Sequence, residues 1–387
     1  MSAREPLVMH VVFRFDVGGL ENGVVNLING LEPGTFRHMV VALTECTESF
    51  CKRIERPGVE FVSLHKGPGH GIRLYPRLFR LFREYRPAVV HTRNLAALEA
   101  AVPALAAGVP VRIHGEHGWD VADLSGQNNK NRWIRRLYSP FVSHYVALSG
   151  QIEAYLHERV GISAGRIERI CNGVDTSRFR PATARAVVPG MPFDPARHRL
   201  VGTVGRLQPV KDQRALIDAF ATVVRRSDDA DAWRLVVVGD GPLREDLERH
   251  VQALGLGGLV WMAGQRDDVA GLMRQFDLFV LPSIAEGISN TVLEAMASGV
   301  AVVATDVGGN RELVEDGVSG TVVAPSDVAG LADAIEAYMK APSAREAAGS
   351  AARCRVEQRF SIERAVADYC SLYRRLLGEQ ACLRASA

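Results

Sequence analysis

Leu278-Phe-Val-Leu281-Pro-Ser283-Ile-Ala-Glu286-Gly-Ile288-Ser289-Asn290-Thr-Val-Leu-Glu294-Ala-Met-Ala-Ser-Gly299-Val-Ala301-Val-Val-Ala304 reads as one strand–loop–helix–strand unit. The apolar run Leu278–Leu281 predicts a strand, the Ala/Met/Leu positions after Asn290 fit the packed face of a helix, and Ala301–Ala304 is apolar and β-branched again. Ser289 or Asn290 is placed to cap that helix, so the free N–H groups near Ile288–Thr291 form a helix start that suits phosphate. Glu286 lies in the loop before this start and Glu294 about one turn inside the helix. The spacing lets both acids reach one ligand; a surface loop acid and a solvated helix acid would look the same.

Working outward, the same alternation fills the chain. Strands are expected at Leu7–Phe13, His38–Leu43, Ala88–His91, Val109–Ile113 and His144–Leu148 in the first half. In the second half they are expected at Leu200–Val204, Leu235–Val238, Leu259–Met262, Leu278–Leu281, Ala301–Ala304 and Gly320–Val323. Short apolar runs separated by helical patterns indicate parallel sheets covered by helices, hence two doubly wound α/β domains. The boundary falls in Arg178–His198, which holds Pro181, Pro189, Pro192 and Pro195. The expected division is residues 1–180, a linker at 181–198, a second domain at 199–361, and a C-terminal helix and tail at 362–387. Open α/β sheets bind ligands at the C-terminal ends of their strands, so a cleft between facing edges is expected.

A length of 387 residues suits two cores. Residues 1–190 carry 24 Lys+Arg against 17 Asp+Glu, a surplus of +7, while the remainder stands at −5. The first half is therefore expected to face something anionic, although a solvated surface fits as well. Six scattered cysteines without a CxxC pair argue against disulfides and zinc and fit a reducing cytoplasm. Ala96–Ile113 is apolar but holds Glu99, Pro103, Pro110 and Arg112, so it reads as a helix and a buried strand, not a membrane span.

Further motifs sit at strand ends. Val204-Gly-Arg206-Leu-Gln-Pro-Val-Lys211 brings two cations after one strand, and Val238-Gly239-Asp-Gly241-Pro242 is a tight turn after the next. Asp16-Val-Gly18-Gly19-Leu-Glu21 lies between the first strand and its helix, where paired glycines permit close backbone approach. Neither glycine run has the spacing of a dinucleotide fingerprint. Gly115-Glu-His117-Gly-Trp-Asp120 follows the strand at Val109–Ile113, and His91-Thr-Arg93-Asn94 follows that at Ala88–His91. Each has a plain structural reading, as turn, core histidine or surface charge.

Together the Glu286/Glu294 segment, the Arg206/Lys211 segment and the strand after Gly299 resemble the family-4 retaining glycosyltransferases, which have the GT-B fold of two Rossmann-like domains facing across a cleft. The N-terminal motifs look like a subgroup associated with exopolysaccharide and exosortase-linked loci. The resemblance implies that Glu286 contacts the donor sugar, Glu294 the nucleotide ribose, and Ile288, Ser289 and Asn290 the phosphates. It gives Arg206 and Lys211 the leaving diphosphate, Gly18, Gly19 and Gly239 a place at the donor pocket, and His117 an approach to the donor sugar from the acceptor domain. His91, Arg93 and Asn94 become acceptor-side residues, and Gly264-Gln-Arg-Asp-Asp268 lies near the nucleobase. It further implies a nucleoside-diphosphate sugar as donor, a glycan or lipid-linked acceptor, no metal or other cofactor, and no nucleic acid as partner. Asp229-Ala-Asp231 is read as a solvated loop, not a metal site. A GT-B epimerase, a phosphorylase or a silent sugar-nucleotide binder shares most of these residues.

The expected location is cytoplasmic, with a peripheral membrane contact in view. Arg73, Arg77, Arg80, Arg83 and Arg86 recur at helical spacing among Leu74, Leu78, Phe79, Leu81 and Phe82. Lys130, Arg132, Arg135 and Arg136 interleave with Trp133, Ile134 and Tyr138. Either patch is a solvated basic face or a surface for anionic lipid.

Overall fold

The structure, a computed structural model, describes residues 5–69, 71–118, 123 and 126–385. Trp119 and Asp120 of the His117 motif lie outside the described residues. The chain forms two α/β units, one running to Gly173 and taking up the chain again from Ile362, the other spanning Val174–Ser361.

The first unit contains strands β1 (Leu7–Val12), β2 (Arg37–Ala42), β3 (Glu60–Ser63), β4 (Val89–Arg93), β5 (Val111–Glu116), β6 (His144–Ala147) and β7 (Ile167–Arg169). They form one parallel sheet in the order β3-β2-β1-β4-β5-β6-β7. β1, β2, β4 and β5 are buried almost throughout, as strands covered on both faces must be. Two of these strands, β3 and β7, are absent from the sequence reading. Both are edge strands, Glu-Phe-Val-Ser and Ile-Glu-Arg, too short and too polar to carry the apolar run that marks the central ones.

The second unit holds β8 (Arg199–Val204), β9 (Trp233–Val238), β10 (Val260–Gly264), β11 (Leu278–Leu281), β12 (Ala301–Thr305) and β13 (Gly320–Val323), all parallel, in the order β10-β9-β8-β11-β12-β13. Its core joins Val201, Leu235, Leu278 and Val303 to Leu216 and Phe220 of the helix Gln213–Arg226 and to Leu331 and Ile335 of Val328–Lys340.

The proline-rich segment packs onto the second unit. Val188, Met191 and Phe193 are buried, and Arg185 makes a two-pronged contact with Asp277, at 3.0 and 2.5 Å. The terminal helix Ile362–Ala385 belongs to the first unit, where Val366, Tyr369, Leu372, Tyr373 and Leu376 pack with Val8, Leu27 and Phe36. Gly30 is tightly packed here, since a Cβ on it would press against Val366.

In both sheets the strand order reverses once, between β1 and β4 and between β8 and β11. At such a point the connections leave in opposite directions and open a crevice at the strands' C-terminal ends.

Candidate active site

In the second unit the crevice lies between the loops that follow β8 and β11. Arg206 and Lys211 come from the first loop and Glu286 from the second, and Lys211 Nζ donates to Glu286 Oε1 at 2.6 Å, bridging the reversal point. Ser283 Oγ donates to the same carboxylate oxygen at 2.6 Å. Ser283 is itself fixed, because Thr305 Oγ1 at the end of β12 donates to its carbonyl at 2.5 Å. The Glu286 side chain is nine-tenths buried, whereas Lys211 retains about a quarter of its exposure.

The β8 loop is braced by the β9 turn. Gly205 N donates to Val238 O at 3.0 Å, and Leu207 N to Asp240 O at 2.9 Å. Gly239 adopts φ +135°, and a Cβ there would overlap the Gly205 carbonyl. Only glycine lets the two backbones come this close. Gln213 Nε2 donates to Arg206 O at 2.9 Å, so the backbone beneath the exposed Arg206 is held from below.

The β11 loop is shaped from the other side by Gly308 and Gly309. Gly309 N donates to Gly287 O at 2.7 Å. Gly308 adopts φ +56°, and a Cβ on it would overlap the Glu286 carbonyl. The helix Asn290–Ala297 then starts at Ser289, whose Oγ accepts from Val292 N at 3.4 Å and which is therefore the cap. Ile288 and Ser289 are buried, and Glu294 is half-buried on the helix. Burial pushes the Glu294 carboxyl up to about 7, with Arg178 acting weakly in the opposite sense. Elsewhere in the unit, Arg266 of the loop after β10 is tied to Asp268 at 2.7 and 2.6 Å. Asp229 and Asp231 precede β9, at the opposite edge of the sheet.

In the first unit, Gly18 caps the helix Gly19–Gly30 directly after β1, in extended backbone. Arg93 ends β4, and Asn94 follows it at φ +56°, with its Oδ1 accepting from His117 N at 2.8 Å. Asn94 thus pins the turn that carries His117. His117 is held neutral, its ring lowered to about 3 by burial and the nearby Arg93, and its Nε2 has no partner among the described residues. His91 is fully buried, with Nδ1 at 2.8 Å from Tyr373 Oη of the terminal helix. Gly115 lies under both rings, since a Cβ there would meet His117 Nε2 and His91 Nε2.

On the other face of this sheet, Arg135 does not join the expected basic patch. It is buried and forks onto Glu116 at 2.6 and 3.0 Å. Burial alone would raise Glu116, but Arg135 and His114 hold its carboxyl down at about 2. A buried carboxylate at the end of β5 needs this cation, which the helical spacing of the arginines does not reveal.

The sequence reading had assigned no role to Ser283, Thr305, Gly308, Gly309 or Arg178. Thr305-Asp-Val-Gly308-Gly309 repeats the strand-then-glycine-pair pattern seen at Gly18-Gly19, and that pattern was the available signal.

Comparison with known proteins agrees with this architecture. Residues 17–178 match the family described as Glycosyltransferase Family 4, and residues 198–341 match Glycosyl transferases group 1. One relative is the UDP-Gal:alpha-D-GlcNAc-diphosphoundecaprenol alpha-1,3-galactosyltransferase of Escherichia coli, 26% identical over 67% of this chain and 68% of its own length. The lipopolysaccharide core biosynthesis mannosyltransferase LpsB of Rhizobium meliloti is 31% identical over 60% of this chain and 65% of its own. The crystal structure of Anabaena Alr3699/HepE in complex with UDP superposes with a TM-score of 0.79 over 95% of this chain and 99% of that one, at 23% identity, a likeness of fold. The chain belongs to the family-4, group 1 glycosyltransferases and has their GT-B fold.

Proposed function

We propose that this glycosyltransferase moves a sugar from a nucleoside-diphosphate donor to a hydroxyl of a glycan or lipid-linked acceptor, with retention of configuration and with its own cations in place of a metal. The observation that carries this reading is the Lys211–Glu286 pair, set at the reversal point of the second sheet beside Arg206 and the Ser289-capped helix. Arg206 and Lys211 stand where a leaving diphosphate develops charge, and fixed cations stabilise that charge more in the transition state than in the ground state. Glu286 passes from Lys211 to the donor sugar, and Glu294 takes the ribose hydroxyls. The C1–O bond to the diphosphate breaks as the acceptor oxygen bonds C1 on the same face, and the acceptor proton leaves with a diphosphate oxygen. Neutral His117, whose Nε2 has no partner among the described residues, hydrogen-bonds a sugar hydroxyl without adding charge. The UDP held by the Anabaena structure makes uridine diphosphate sugars the first donors to try. A panel of donors assayed by nucleotide release, with and without EDTA, tests the reading. Release from one donor that EDTA leaves unchanged supports it, and a rate abolished by EDTA and restored by Mg²⁺ refutes the metal-free part.

Work at a lipid-linked acceptor is supported by the surface of the first unit. No helix among the described residues is long and apolar enough to cross a membrane. The helix Tyr75–Tyr85, with Pro76 in its first turn, buries Leu78 and Phe82 and leaves Phe79, Arg80 and Arg83 exposed. Tyr75 Oη lies 3.3 Å from Tyr138 Oη of the helix Asn129–Tyr138, which presents Trp133, 64% exposed, and Leu137. Exposed aromatic and aliphatic side chains among arginines suit an anionic bilayer surface. The exopolysaccharide and exosortase association rests on the N-terminal motifs alone, while the relatives named for a diphosphoundecaprenol acceptor and for lipopolysaccharide core favour a lipid-linked glycan more broadly.

A further inference from the structure

The face of the first sheet that the terminal helix covers changes character along its strands. The parallel register places Val89, His91 and Arg93 of β4 on one face with Val111, Ile113 and Gly115 of β5. Val89, Val111 and Ile113 pack with Tyr369 and Tyr373 of the helix as core. Toward the C-terminal ends of the strands, where Asn94 and His117 follow, the same face carries the buried polar residues His91 and Arg93. Tyr369 and Tyr373 stand four residues apart, on one side of the helix, and both rings pack on His91 with centroids at 5.8 and 5.9 Å.

Hydrogen bonding orders these groups. Tyr373 Oη lies 2.8 Å from His91 Nδ1. Arg93, which can only donate, also bonds the Tyr373 hydroxyl, so the tyrosine oxygen accepts from Arg93 and its own proton goes to His91 Nδ1. Burial and then Arg93 hold the His91 ring neutral, which leaves its single proton on Nε2. That side of the ring meets His117. A Cβ on Gly115 would lie 3.1 Å from His91 Nε2 and 2.6 Å from His117 Nε2, so the two imidazoles close on one point above the β5 backbone. Gly115 is not among the residues with positive φ, and a glycine inside a strand otherwise weakens it; here it clears the space into which both rings reach. Asn94 fixes the backbone of His117, and His91 bounds its ring.

We propose that Tyr373 is a positioning residue for sugar transfer: from the terminal helix it holds His91, and His91 sets the ring of His117 across Gly115. The inference rests on the reading of His117 as a hydrogen-bonding partner of a sugar hydroxyl. A ring free to turn away would lose that bond without any change in the groups that hold the nucleotide, so the effect belongs to turnover and not to nucleotide affinity.

A double-mutant cycle on the full chain tests this, with nucleotide release from the best donor and calorimetric affinity for its free nucleoside diphosphate measured on each variant. Tyr373→Phe removes the hydroxyl and keeps the ring. It should lower turnover about five-fold or more, the scale of one hydrogen bond, with nucleotide affinity within about two-fold of wild type. In the His117→Ala background, itself slow, the same change should alter turnover by less than about two-fold, whereas a merely structural role would lower both backgrounds alike. Nucleotide binding and circular dichroism certify that each variant is folded. If Tyr373→Phe fails that check, His91→Asn, which keeps an acceptor for Tyr373 and removes the Nε2 side of the ring, takes its place in the cycle. Unchanged turnover in Tyr373→Phe, or an equal loss with and without His117, overturns the positioning and leaves the role of His117 standing. Wild-type turnover in His117→Ala overturns the reading of His117 itself, and the positioning with it.

Discussion

Glu294 gives the most quantitative handle on the donor site. Its carboxyl is raised by burial from 4.5 to about 7, and Arg178 offsets only part of this. A displacement of that size corresponds to about 3 kcal/mol between the two protonation states. The folded chain holds the proton between pH 4.5 and 7 where the unfolded chain has lost it, so stability attributable to this group is present at low pH and lost as pH rises through 7. Glu294→Gln keeps the shape and removes the titration. Urea unfolding should therefore show the wild type falling behind Glu294→Gln by up to about 3 kcal/mol between pH 4.5 and 8. Nucleotide binding should run the other way, because a ribose diol donates best to an ionised carboxylate. With the free-protein value at about 7, wild-type affinity at pH 5.5 should be about thirty-fold below its alkaline plateau, after division by the Glu294→Gln profile to cancel titration of the nucleotide. A wild-type to variant ratio that is flat across this range, or that improves on acidification, would falsify the placement of an ionised Glu294 on the ribose.

Other consequences are independent of that one. Arg135→Ala strips Glu116 of its buried cation and should cost about 3–5 kcal/mol in urea unfolding. Because Glu116 is held down at about 2, the wild-type pair supplies stability above pH 4.5 that fades as pH falls toward 2, and the variant should lack this acid-side slope. Gly308→Ala puts a Cβ against the Glu286 carbonyl at a left-handed φ, so it should cut nucleotide release from the donor at least about ten-fold while the chain stays folded by circular dichroism. Co-sedimentation with vesicles should require anionic lipid, weaken with salt, and fall when Arg73, Arg80 and Arg83 become Ser; Arg77 is excluded because it already bonds the Leu64 and Ser63 carbonyls. Binding indifferent to lipid charge would remove the membrane from the account.

What the sequence discloses here follows from how each feature is encoded. Central strands such as β1, β4 and β11 are buried on both faces, so they are written as unbroken apolar runs; edge strands β3 and β7 are not. The Glu286 loop was legible because the acids, cap and helix lie within one stretch. Its supports were not, because Ser283 gains its meaning from Thr305 and the Glu286 backbone from Gly308, contacts that no local pattern reports. The terminal helix showed its apolar positions, but nothing in its spacing says that Tyr373 meets His91 in the first unit, 282 residues away. Arg135 misled for the same reason: its helical register is that of a surface arginine, and only the sheet brings Glu116 beneath it.

The central claim is that Glu286, held by Lys211 and Ser283 at the end of β11, acts on the transferred sugar and not on the nucleotide. The most direct measurement compares wild type and Glu286→Gln for nucleotide release from the best donor with acceptor present, alongside calorimetric affinity for the free nucleotide. The account predicts turnover reduced by about 100-fold or more with nucleotide affinity within about two-fold of wild type. Unchanged turnover, or a loss of nucleotide affinity equal to the loss of rate, would contradict it.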